Sequence, residues 1–532
     1  MTTAQAKKDF KITYTSSAAP DMNLFHQYFD EGLQWARAQM GKTYPLFIGG
    51  KEVASALKPK AVHSPINSDW VLGHFSMAEV SHVSQALDAA QKAKKSWERL
   101  GWVERVKLMR KASSLIRERK WELGAAMSLE VGKSRMESMG EVEESADLID
   151  YYSKIMEENN GYLKPMGPSY KETTSSVLRP YGVFACISPF NFPMALATGM
   201  SSAALIAGNV VVFKPSPETP WTGYLLNEIY QQAGLPAGVF NFITGDDMAI
   251  GDPLWKDDRV DGLAFTGSKE VGMRMIKEFS GKFWKPALAE LGGKNAAIVC
   301  ASSDLDAAAE GIMRSAFGLQ GQKCSACSRV YVEKSVAEKF TRKLIEKTKK
   351  IVMGDPTQMD VFLGPVINAR AVKRYEEAVR AAQNGGEIFV GGSVVKGGIF
   401  AKGHFVSPTI ARLPLDHELF LRELFLPFTA IAEVASLEEA VKEANKVEYG
   451  LTAGIFSAKK EEIEYFFDHV EAGVCYANRK GGATTGAWPG VQSFGGWKGS
   501  GTTGKGGCGP YYVAQFMHEQ SRTVAELGTV PN

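Results

Sequence analysis

Cys324 and Cys327 stand in the segment FGLQGQKCSACSRVYV, between a predicted helix and a predicted strand. Zinc sites and thioredoxin-like redox centres use this C-x-x-C spacing. The sequence has no second such pair and no histidine nearby, so we expect no metal here. Lys323 and Arg329 flank the pair, and nearby cations favour the reactive thiolate. A single cysteine is more often an inert core residue, so the segment decides nothing alone.

Residues 499–504 read GSGTTG, a formal G-x-G-x-x-G motif. A dinucleotide-binding fingerprint requires a strand before the glycines and a helix after them. Here a glycine-rich segment precedes the motif and Lys505-Gly506-Gly507 follows it. We therefore predict a loop rather than a nucleotide site.

Better nucleotide candidates are the ends of predicted strands, because ligands of open parallel sheets bind at the carboxyl ends of strands. Lys214 follows NVVVF, Gly245 follows FNFIT, and residues 266–268 follow GLAF. Residues 266–268 also precede a predicted helix, whose first amides can meet a phosphate. Each position equally fits an ordinary turn between a strand and a helix.

Alternating strands and helices must position these residues. From residue 181, strands that are apolar on both faces alternate with helical segments such as 193–207, which predicts a parallel sheet covered by helices. The alternation resumes after residue 290 with KNAAIVC and a helix at 304–318, which indicates a second α/β domain. Residues 78–160 have the spacing of a helical block.

Composition excludes several classes of protein. The chain has 532 residues, enough for two to four domains at about 100–200 residues each. Its net charge of +2 provides no field to attract nucleic acid or an anionic membrane. The uncharged stretch 193–213 could be mistaken for a membrane span, but Pro193 and Gly208-Asn209 favour a buried helix followed by a strand. Glycine, at 53 residues, is abundant enough to suggest close approach of backbone to a ligand.

The compartment is predicted from the cysteines and the N-terminus. Six cysteines without regular spacing are too few for a disulfide framework, and the first residues have no apolar or arginine-rich targeting pattern. We expect a cytoplasmic protein.

Three residues in a fixed order identify a family. Asn191 lies in SPFNFP, Glu290 follows 99 residues later in LAELGGKN, and Cys324 follows after another 34. Together with FKPSPETP, GLPAGVFNFITGD and FTGSKEVG, they resemble the aldehyde dehydrogenase superfamily from about residue 45 to 525. The resemblance implies two parallel-sheet α/β domains and a small β arm.

The resemblance implies oxidation of an aldehyde to an acid. Cys324 would attack the aldehyde to give a thiohemiacetal, and hydride transfer to NAD would leave a thioester. Glu290 would activate the water that releases the acid. The side-chain amide of Asn191 and the backbone amide of Cys324 would form the oxyanion hole.

Cofactor residues follow from the same resemblance, with NAD expected and NADP also possible. Two departures bear on this site: Pro217 stands where a ribose-binding glutamate is common, with Glu218 one place further, and Leu426 replaces a common glycine. The implied cofactor residues are Ile187, Pro189, Lys214, Ser216, Gly245, Thr266, Gly267, Ser268, Glu423 and Phe425.

Within the superfamily, GQKCSACSR, NRK, TGA and GVQSFGGWKGSGT most resemble the 1-pyrroline-5-carboxylate dehydrogenases, which oxidise L-glutamate γ-semialdehyde. NRK and TGA are about three residues further apart than that pattern, and Trp488-Pro489 replaces an aliphatic stretch, so another semialdehyde or a bulkier aldehyde remains an alternative. The implied substrate residues are Ser325, Thr485, Gly486 and Ala487 at the carboxylate, Phe192 and Phe494 along the chain, and Glu144 at the ammonium group, where a solvated helix residue is an equal alternative.

The family architecture suggests how the chain divides and assembles. A hairpin at 161–180 and the segment QSRTVAEL fit an oligomerisation arm, so we expect a homodimer or a dimer-based oligomer, with a small aldehyde as the other partner. The expected divisions are an N-terminal extension (1–45), a cofactor-binding domain (46–160 and 182–291), a catalytic domain (292–500) and the arm (161–181 and 510–532).

Two other classes of function remain open. An acyl-transferring enzyme would pass the thioester to coenzyme A, although Glu290 favours water. A non-catalytic binding protein could retain the fold, although Cys324, Glu290 and Asn191 together favour catalysis.

Overall fold

The structure is a computed structural model that describes residues 7–10, 12, 21–167, 171–281 and 283–525. Most of the first 20 residues of the expected N-terminal extension lie outside the described residues. So do residues 168–170 and 526–532 of the expected arm.

Two seven-stranded sheets organise the molecule. The strands are β1 (Thr43–Tyr44), β2 (Leu46–Ile48), β3 (Lys51–Val53), β4 (Lys60–His63), β5 (Val71–Phe75), β6 (Leu163–Pro165), β7 (Glu172–Pro180), β8 (Val183–Ile187), β9 (Val210–Lys214), β10 (Phe240–Phe242), β11 (Gly262–Thr266), β12 (Ala287–Glu290), β13 (Asn295–Val299), β14 (Cys327–Glu333), β15 (Glu387–Val390), β16 (Thr409–Arg412), β17 (Phe428–Val434), β18 (Tyr449–Gly450), β19 (Thr452–Phe456), β20 (Val474–Ala477), β21 (Trp497–Lys498) and β22 (Met517–Ala525).

Helices cover the sheets. They are α1 (Met22–Gln39), α2 (Val80–Arg99), α3 (Trp102–Glu118), α4 (Lys120–Val131), α5 (Arg135–Glu158), α6 (Ala195–Ala207), α7 (Pro220–Ala233), α8 (Asp252–Trp255), α9 (Lys269–Phe279), α10 (Leu305–Phe317), α11 (Ala337–Thr348), α12 (Ala369–Gly385), α13 (Leu437–Asn445) and α14 (Lys460–His469).

The first sheet has the order β12-β11-β8-β9-β10-β2-β3. Its first five strands are parallel, and the hairpin β2-β3 adds an antiparallel edge. Every residue of β8, β9 and β11 is buried, because helices pack on both faces of the sheet. The alternation of apolar strands and helices therefore predicted this layer correctly.

The second sheet has the order β15-β16-β17-β14-β13-β19-β20 and is parallel except for β15. The predicted division at 291/292 falls in the connection from β12, at the edge of the first sheet, to β13 in the second. The two-sheet α/β class is confirmed.

The apolar stretch 193–213 forms a helix and a strand, as predicted. Helix α6 ends at Gly208, whose φ of +103° is in the left-handed region, and β9 begins two residues later. Among the described residues, no helix is both long and apolar enough to cross a membrane.

Helix α1 packs into the hydrophobic core around the first sheet. Asp21 caps its N-terminus, and Phe25 and Phe29 are completely buried. The Phe25 ring contacts Trp121 of α4 edge-on at 5.7 Å between ring centres. The described part of the expected extension thus contributes apolar surface to the fold.

A separate three-stranded sheet forms the arm, with β7 between β6 and β22. The antiparallel register pairs Met517 with Pro180 and Ala525 with Glu172, so the C-terminal strand closes on the hairpin as expected. Apart from Met517, every residue of β22 is exposed.

Candidate active site

Parallel pairing brings predicted site residues to one edge of the first sheet. Ile187 is the register partner of both Lys214 and Phe265, and Thr266 is the partner of Glu290. The carboxyl ends of β8, β9, β11 and β12 therefore coincide. Residues on four strands, far apart in sequence, lie along one crevice of the kind in which such sheets bind ligands.

Glu290 ends β12 with its carboxyl group directed into a cavity. Burial raises its pKa to about 8, against a hydrogen bond from the backbone N–H of Gly507. Its Oε2 is buried and has no hydrogen-bond partner within the described part of the chain. A carboxyl group with a pKa near neutrality is suited to exchange protons with a reacting group.

The glycine-rich segment 499–504 is a loop, as predicted, and it braces the strand of Glu290. The hydroxyl of Ser500 donates to the carbonyl of Gly292 at 2.7 Å, and the N–H of Leu291 donates to the carbonyl of Ser500 at 2.9 Å. The hydroxyl of Thr502 accepts the N–H of Ala289 at 3.0 Å. This loop supports the candidate base.

Cys324 follows α10 and a tight turn in which Gln320 and Gly321 have φ values of +56° and +65°. Burial, together with the nearby carboxylates of Glu423 and Glu290, raises the pKa of its thiol to about 12. The backbone N–H groups of Ser325 and of Cys324 itself oppose the shift. The thiol is therefore protonated at neutral pH and needs a base to become a nucleophile.

The expectation that Lys323 and Arg329 favour a thiolate is wrong. Lys323 pairs with Glu137 at 2.7 Å. The guanidinium of Arg329 donates to the backbone carbonyl of Ala444 at 3.0 Å. Cys327 is completely buried at the start of β14, and within the described residues no group of three His, Cys, Asp or Glu side chains could hold a metal.

Asn191 is buried beside the cysteine loop. Its Nδ2 donates to the carbonyl of Gln322 at 3.0 Å, two residues before Cys324. An amide NH₂ group carries two hydrogens, so the second remains for a substrate oxygen. This hydrogen bond places Asn191, the predicted oxyanion donor, beside the loop that carries Cys324.

Lys214 is buried at the end of β9 and forms an ion pair with Asp247. Its Nζ also donates to the carbonyl of Pro215 at 3.4 Å. The hydroxyl of Ser216 accepts the N–H of Glu218 at 3.3 Å. The lysine thus lies at the predicted edge, already paired with a carboxylate.

The remaining predicted cofactor residues line the same edge. Gly267 donates its N–H to the carbonyl of Glu290 at 3.1 Å, and the hydroxyl of Ser268 caps helix α9. Thr266 is buried, and a Cβ on Gly245 would lie 2.7 Å from the side chain of Ile250. Pro189 follows the buried Ser188, whose hydroxyl has no hydrogen-bond partner among the described residues.

Glu423 lies over the glycines that follow Glu290. Its Oε1 accepts the N–H of Gly293 at 2.9 Å, and a Cβ on Gly292 would lie 2.2 Å from its Oε2. Burial raises its pKa to about 7, against the N–H of Gly293 and the charges of Lys294 and Arg374. Only glycine at 292 leaves room for this carboxyl group.

Phe425 has a φ of +59° and packs edge-on against Phe190 at 5.8 Å. Leu426, where the family commonly has glycine, is buried, and its carbonyl lies 2.1 Å from the position of a Cβ on Gly321. The loop of Glu423 therefore packs directly against the turn that precedes Cys324.

The side chain of Glu218 is directed toward the start of helix α12. Its Oε1 accepts from Asn368 at 2.8 Å and from Arg370 at 3.2 Å. The displaced glutamate is thus engaged in contacts other than those of a ribose-binding carboxylate.

A cavity of about 150 Å³ brings together Cys324, Glu290 and the predicted substrate residues, whereas Asn191 is not part of its lining. Its lining includes ten of the predicted residues: Cys324, Glu290, Ser325, Thr485, Gly486, Ala487, Phe192, Phe494, Glu144 and the predicted cofactor residue Thr266. Sequence reasoning thus selected residues that share one cavity, although the chain order separates them by up to 350 positions.

The anchor loop (residues 485–487) is fixed from several sides. The hydroxyl of Thr484 donates to the carbonyl of Ser325 at 2.7 Å, and its N–H donates to the hydroxyl of Ser315 at 3.1 Å. Arg479 donates to the carbonyl of Thr485 at 2.6 Å. These contacts tie the anchor loop to the segment that carries Cys324.

Trp488, which departs from the family pattern, extends this support. Its Nε1 donates to the carboxylate of Asp147 on α5 at 2.9 Å. Asp147 also accepts from Arg117 at 2.6 Å. The longer loop is therefore attached to the helix that carries Glu144.

Several site residues were not predicted. Arg314, Glu137 and Cys508 also line the cavity. Cys508 has a φ of +60° and was detectable only as a non-glycine within the run GGCG. The others resembled ordinary charged residues of helices and loops.

The buried ion pair between Lys133 and Glu141 was also not predicted from the sequence. The Oε1 of Glu141 accepts the N–H groups of Met194 and Ala195 at 2.8 and 3.0 Å, at the start of α6. No pattern in the sequence signalled this support.

Comparisons with known proteins agree with this geometry. The chain is 35% identical over 505 residues to a 1-pyrroline-5-carboxylate dehydrogenase of Geobacillus sp. (strain WCH70), covering 94% of this chain and 96% of that protein. It is 34% identical to the enzyme of the same name from Oceanobacillus iheyensis, covering 92% and 94%. A solved structure of 1-pyrroline-5-carboxylate dehydrogenase from Thermus with bound NAD superposes with a TM-score of 0.90 at 33% identity, covering 94% and 96%.

Residues 53–521 match the model of the aldehyde dehydrogenase family. That match extends over both sheets apart from the β2-β3 hairpin at the edge of the first, and over the cavity and most of the arm. The chain therefore belongs to the aldehyde dehydrogenase family.

Proposed function

We propose that this chain oxidises L-glutamate γ-semialdehyde to L-glutamate, a step of proline catabolism, with NAD as hydride acceptor. The observation that carries the proposal is one cavity lined by Cys324, Glu290 and the anchor loop. Relatives named 1-pyrroline-5-carboxylate dehydrogenase, at 35% identity over 94% of the chain, support the choice of substrate.

Cys324 begins the reaction. Because its pKa is raised to about 12, the thiol must lose its proton as it attacks the aldehyde carbon, and Glu290 in the same cavity accepts that proton. The carbonyl oxygen becomes negative in the thiohemiacetal. The Nδ2 of Asn191 and the N–H of Cys324 stabilise that charge as donors already held in place.

The residues at the sheet edge fit NAD. The carboxyl ends of four parallel strands lie together there, Ser268 caps a helix whose first amides can bind a diphosphate, and the orphaned hydroxyl of Ser188 offers a polar contact. Lys214 and Glu423 would bind the two riboses. Bound there, NAD would supply the acceptor for a hydride from the carbon attached to the Cys324 sulfur.

Glu290 completes the reaction. Loss of hydride from the negatively charged thiohemiacetal leaves a thioester on Cys324, and Glu290 releases to solvent the proton that it took from the thiol. Glu290 removes a proton from water, whose oxygen bonds to the acyl carbon while the C–S bond breaks. The thiolate that leaves is protonated again, so the enzyme returns to its starting state.

The far end of the cavity suits an amino acid. A turn of small residues presents backbone N–H groups, and Ser325 adds a hydroxyl, so the substrate's α-carboxylate has neutral donors. Glu144 offers a carboxylate to the α-ammonium group. Phe192 and Phe494 line the aliphatic part.

We also propose a homodimer or dimer-based oligomer in the cytoplasm. The arm exposes Leu163, Met166 and Val524, with Val524 68% exposed, and β22 presents an unpaired edge that a second copy can cover. All six cysteines are free thiols, as in a reducing compartment.

A steady-state panel of aldehydes tests the proposal. We expect kcat/KM for glutamate γ-semialdehyde with NAD well above the values for propanal and succinate semialdehyde, and no dependence on coenzyme A. Cys324→Ala should abolish NADH production, while Cys327→Ala, which removes the other thiol of the C-x-x-C pair, should retain it. Equal efficiency for propanal would exclude the proposed substrate, and a requirement for coenzyme A would exclude hydrolysis.

A further inference from the structure

Arg314 is a cation in the wall of the cavity that the chemistry described so far does not use. It lies in the last turn of α10, and its side chain is 37% exposed. It lines the same cavity as Cys324 and the anchor loop. Its position places a permanent positive charge in the wall of the cavity that also holds the Cys324 thiol.

Only part of the Arg314 guanidinium is engaged. Its Nε donates to Glu310 at 2.7 Å. Within the described part of the chain, Nη1 and Nη2 have no hydrogen-bond partner. Because the contact at Nε fixes the plane of the group, the two terminal amino groups form an oriented fork of donors.

Glu310 does not cancel the charge of Arg314. It also pairs with Lys347 at 3.2 Å, and Lys347 and Lys343 both pair with Asp306. Three cations thus share two carboxylates, which leaves a net charge of +1 on this face of α10.

The helix that carries Arg314 is bonded to the anchor loop. The neighbouring Ser315 contacts the hydroxyl of Thr485 at 3.3 Å and accepts the N–H of Thr484 at 3.1 Å. Thr484 in turn bonds the carbonyl of Ser325. Hydrogen bonds therefore connect the helix that carries Arg314 to the anchor loop and to Ser325, the residues predicted to donate to a carboxylate.

We infer that Arg314 is a specificity-determining residue whose Nη groups bind the carboxylate of an anionic aldehyde at the cavity. The inference deepens the proposed function and rests on it for the identity of the carboxylate. Neutral donors of the anchor loop and Ser325 orient the bound carboxylate. Arg314 adds the charge that favours carboxylate-bearing aldehydes over neutral ones of similar length.

The test compares Arg314→Met and Arg314→Lys with the wild type on three aldehydes: glutamate γ-semialdehyde, succinate semialdehyde and propanal. We expect Arg314→Met to raise KM for both carboxylate-bearing aldehydes roughly tenfold, as loss of a charge-assisted hydrogen bond does. For propanal, kcat/KM should stay within about twofold, and Arg314→Lys should recover part of the loss. Added salt should lower kcat/KM for succinate semialdehyde less in Arg314→Met than in the wild type.

Lys347→Met is the matched control, because it removes a cation bound to the same Glu310 outside the cavity lining. It should leave all three KM values unchanged. An equal loss for propanal and succinate semialdehyde, or no loss for either, overturns the inference. If the wild type oxidises glutamate γ-semialdehyde no better than propanal, the proposed substrate fails, whereas the comparison of succinate semialdehyde with propanal still decides the role of Arg314.

Discussion

Lys133 and Glu141 form an ion pair in which both side chains are completely excluded from solvent. The second oxygen of Glu141 accepts two backbone N–H groups at the start of α6. The Lys133 ammonium lies 3.8 Å from the centre of the Phe192 ring. One buried pair thus fixes the segment that carries both Asn191 and Phe192.

Removing one partner of this ion pair should lower the free energy of unfolding far more than removing both charges. Lys133→Met leaves the Glu141 carboxylate buried without its cation, so the free energy of unfolding should fall by about 3–5 kcal/mol. The double variant Lys133→Met/Glu141→Gln keeps an oxygen for the two amides but removes the stranded charge. It should recover most of the loss in urea unfolding.

Lys107→Met serves as the control, because its pair with Glu104 is exposed and should contribute less than about 1 kcal/mol. A double variant no more stable than Lys133→Met would contradict the prediction. At temperatures where the single variant is folded, its kcat should fall while KM for NAD stays constant, because the pair positions Asn191 and not the cofactor.

The pKa of Glu290 sets the pH dependence of turnover. As a base it must be ionised, and burial raises its pKa to about 8. We therefore expect kcat at saturating substrate and NAD to rise with pH from 6 and to reach half its plateau near pH 8 when deacylation limits. Glu290→Gln should lower kcat by about 10²–10⁴-fold and remove this rise.

Glu423→Gln is the control, because Glu423 also has a pKa raised to about 7. It should raise KM for NAD while the rise in kcat near pH 8 remains. A rise that survives in Glu290→Gln and disappears in Glu423→Gln would reassign the base.

The same shift predicts an effect on stability. A carboxyl group whose folded pKa is raised favours the fold most below its unfolded pKa near 4.5, and this contribution is lost as pH rises toward 8. Glu290→Gln should therefore raise Tm relative to wild type at pH 8 and leave it nearly unchanged at pH 4.5.

The sheet edge could be predicted from sequence because local pattern determines it. Strands such as β8 and β9 are continuous apolar runs, and their parallel pairing places their carboxyl ends together. Because Lys214 and Thr266 lie at predicted strand ends, the geometry of a parallel sheet places both at the same edge. The catalytic and substrate residues that share the cavity came from family motifs instead, since nothing local connects Glu144 to Gly486.

Side-chain partners could not be predicted, because tertiary packing chooses them. Lys323 stands beside Cys324 in sequence, yet it pairs with Glu137, 186 residues away. Arg329 likewise lies near the thiol in the chain but turns to carbonyls at the end of α13. Position next to Cys324 in the sequence therefore led to a wrong prediction of which charges act on its thiol.

Arg314 shows why an unassigned site residue is hard to see in sequence. On an amphipathic helix a basic residue most often lies in solvent, and its salt bridge with Glu310 at i, i+4 fits that pattern. Only the packing of α10 against the anchor loop brings it to the cavity.

Arg479 holds the anchor loop, the proposed carboxylate site, in its present shape. Its Nη1 donates to the carbonyl of Thr485 at 2.6 Å, and its guanidinium lies 2.5 Å from where a Cβ on Gly486 would stand. Gly486 itself has a φ of +107°, which side chains rarely adopt. The loop is therefore shaped jointly by a glycine and by the arginine that covers it.

Arg479→Met should raise KM for glutamate γ-semialdehyde roughly tenfold, because a charge-assisted hydrogen bond that orients the loop is lost. Propanal has no carboxylate for the loop to bind, so its kcat/KM should stay within about twofold. Gly486→Ala should give the same split, since its Cβ would collide with the guanidinium. Lys480→Met, which removes an exposed cation one residue away, is the control and should change neither substrate. Parallel losses for both aldehydes in Arg479→Met would mean that the arginine supports the fold as a whole and not the carboxylate end of the cavity.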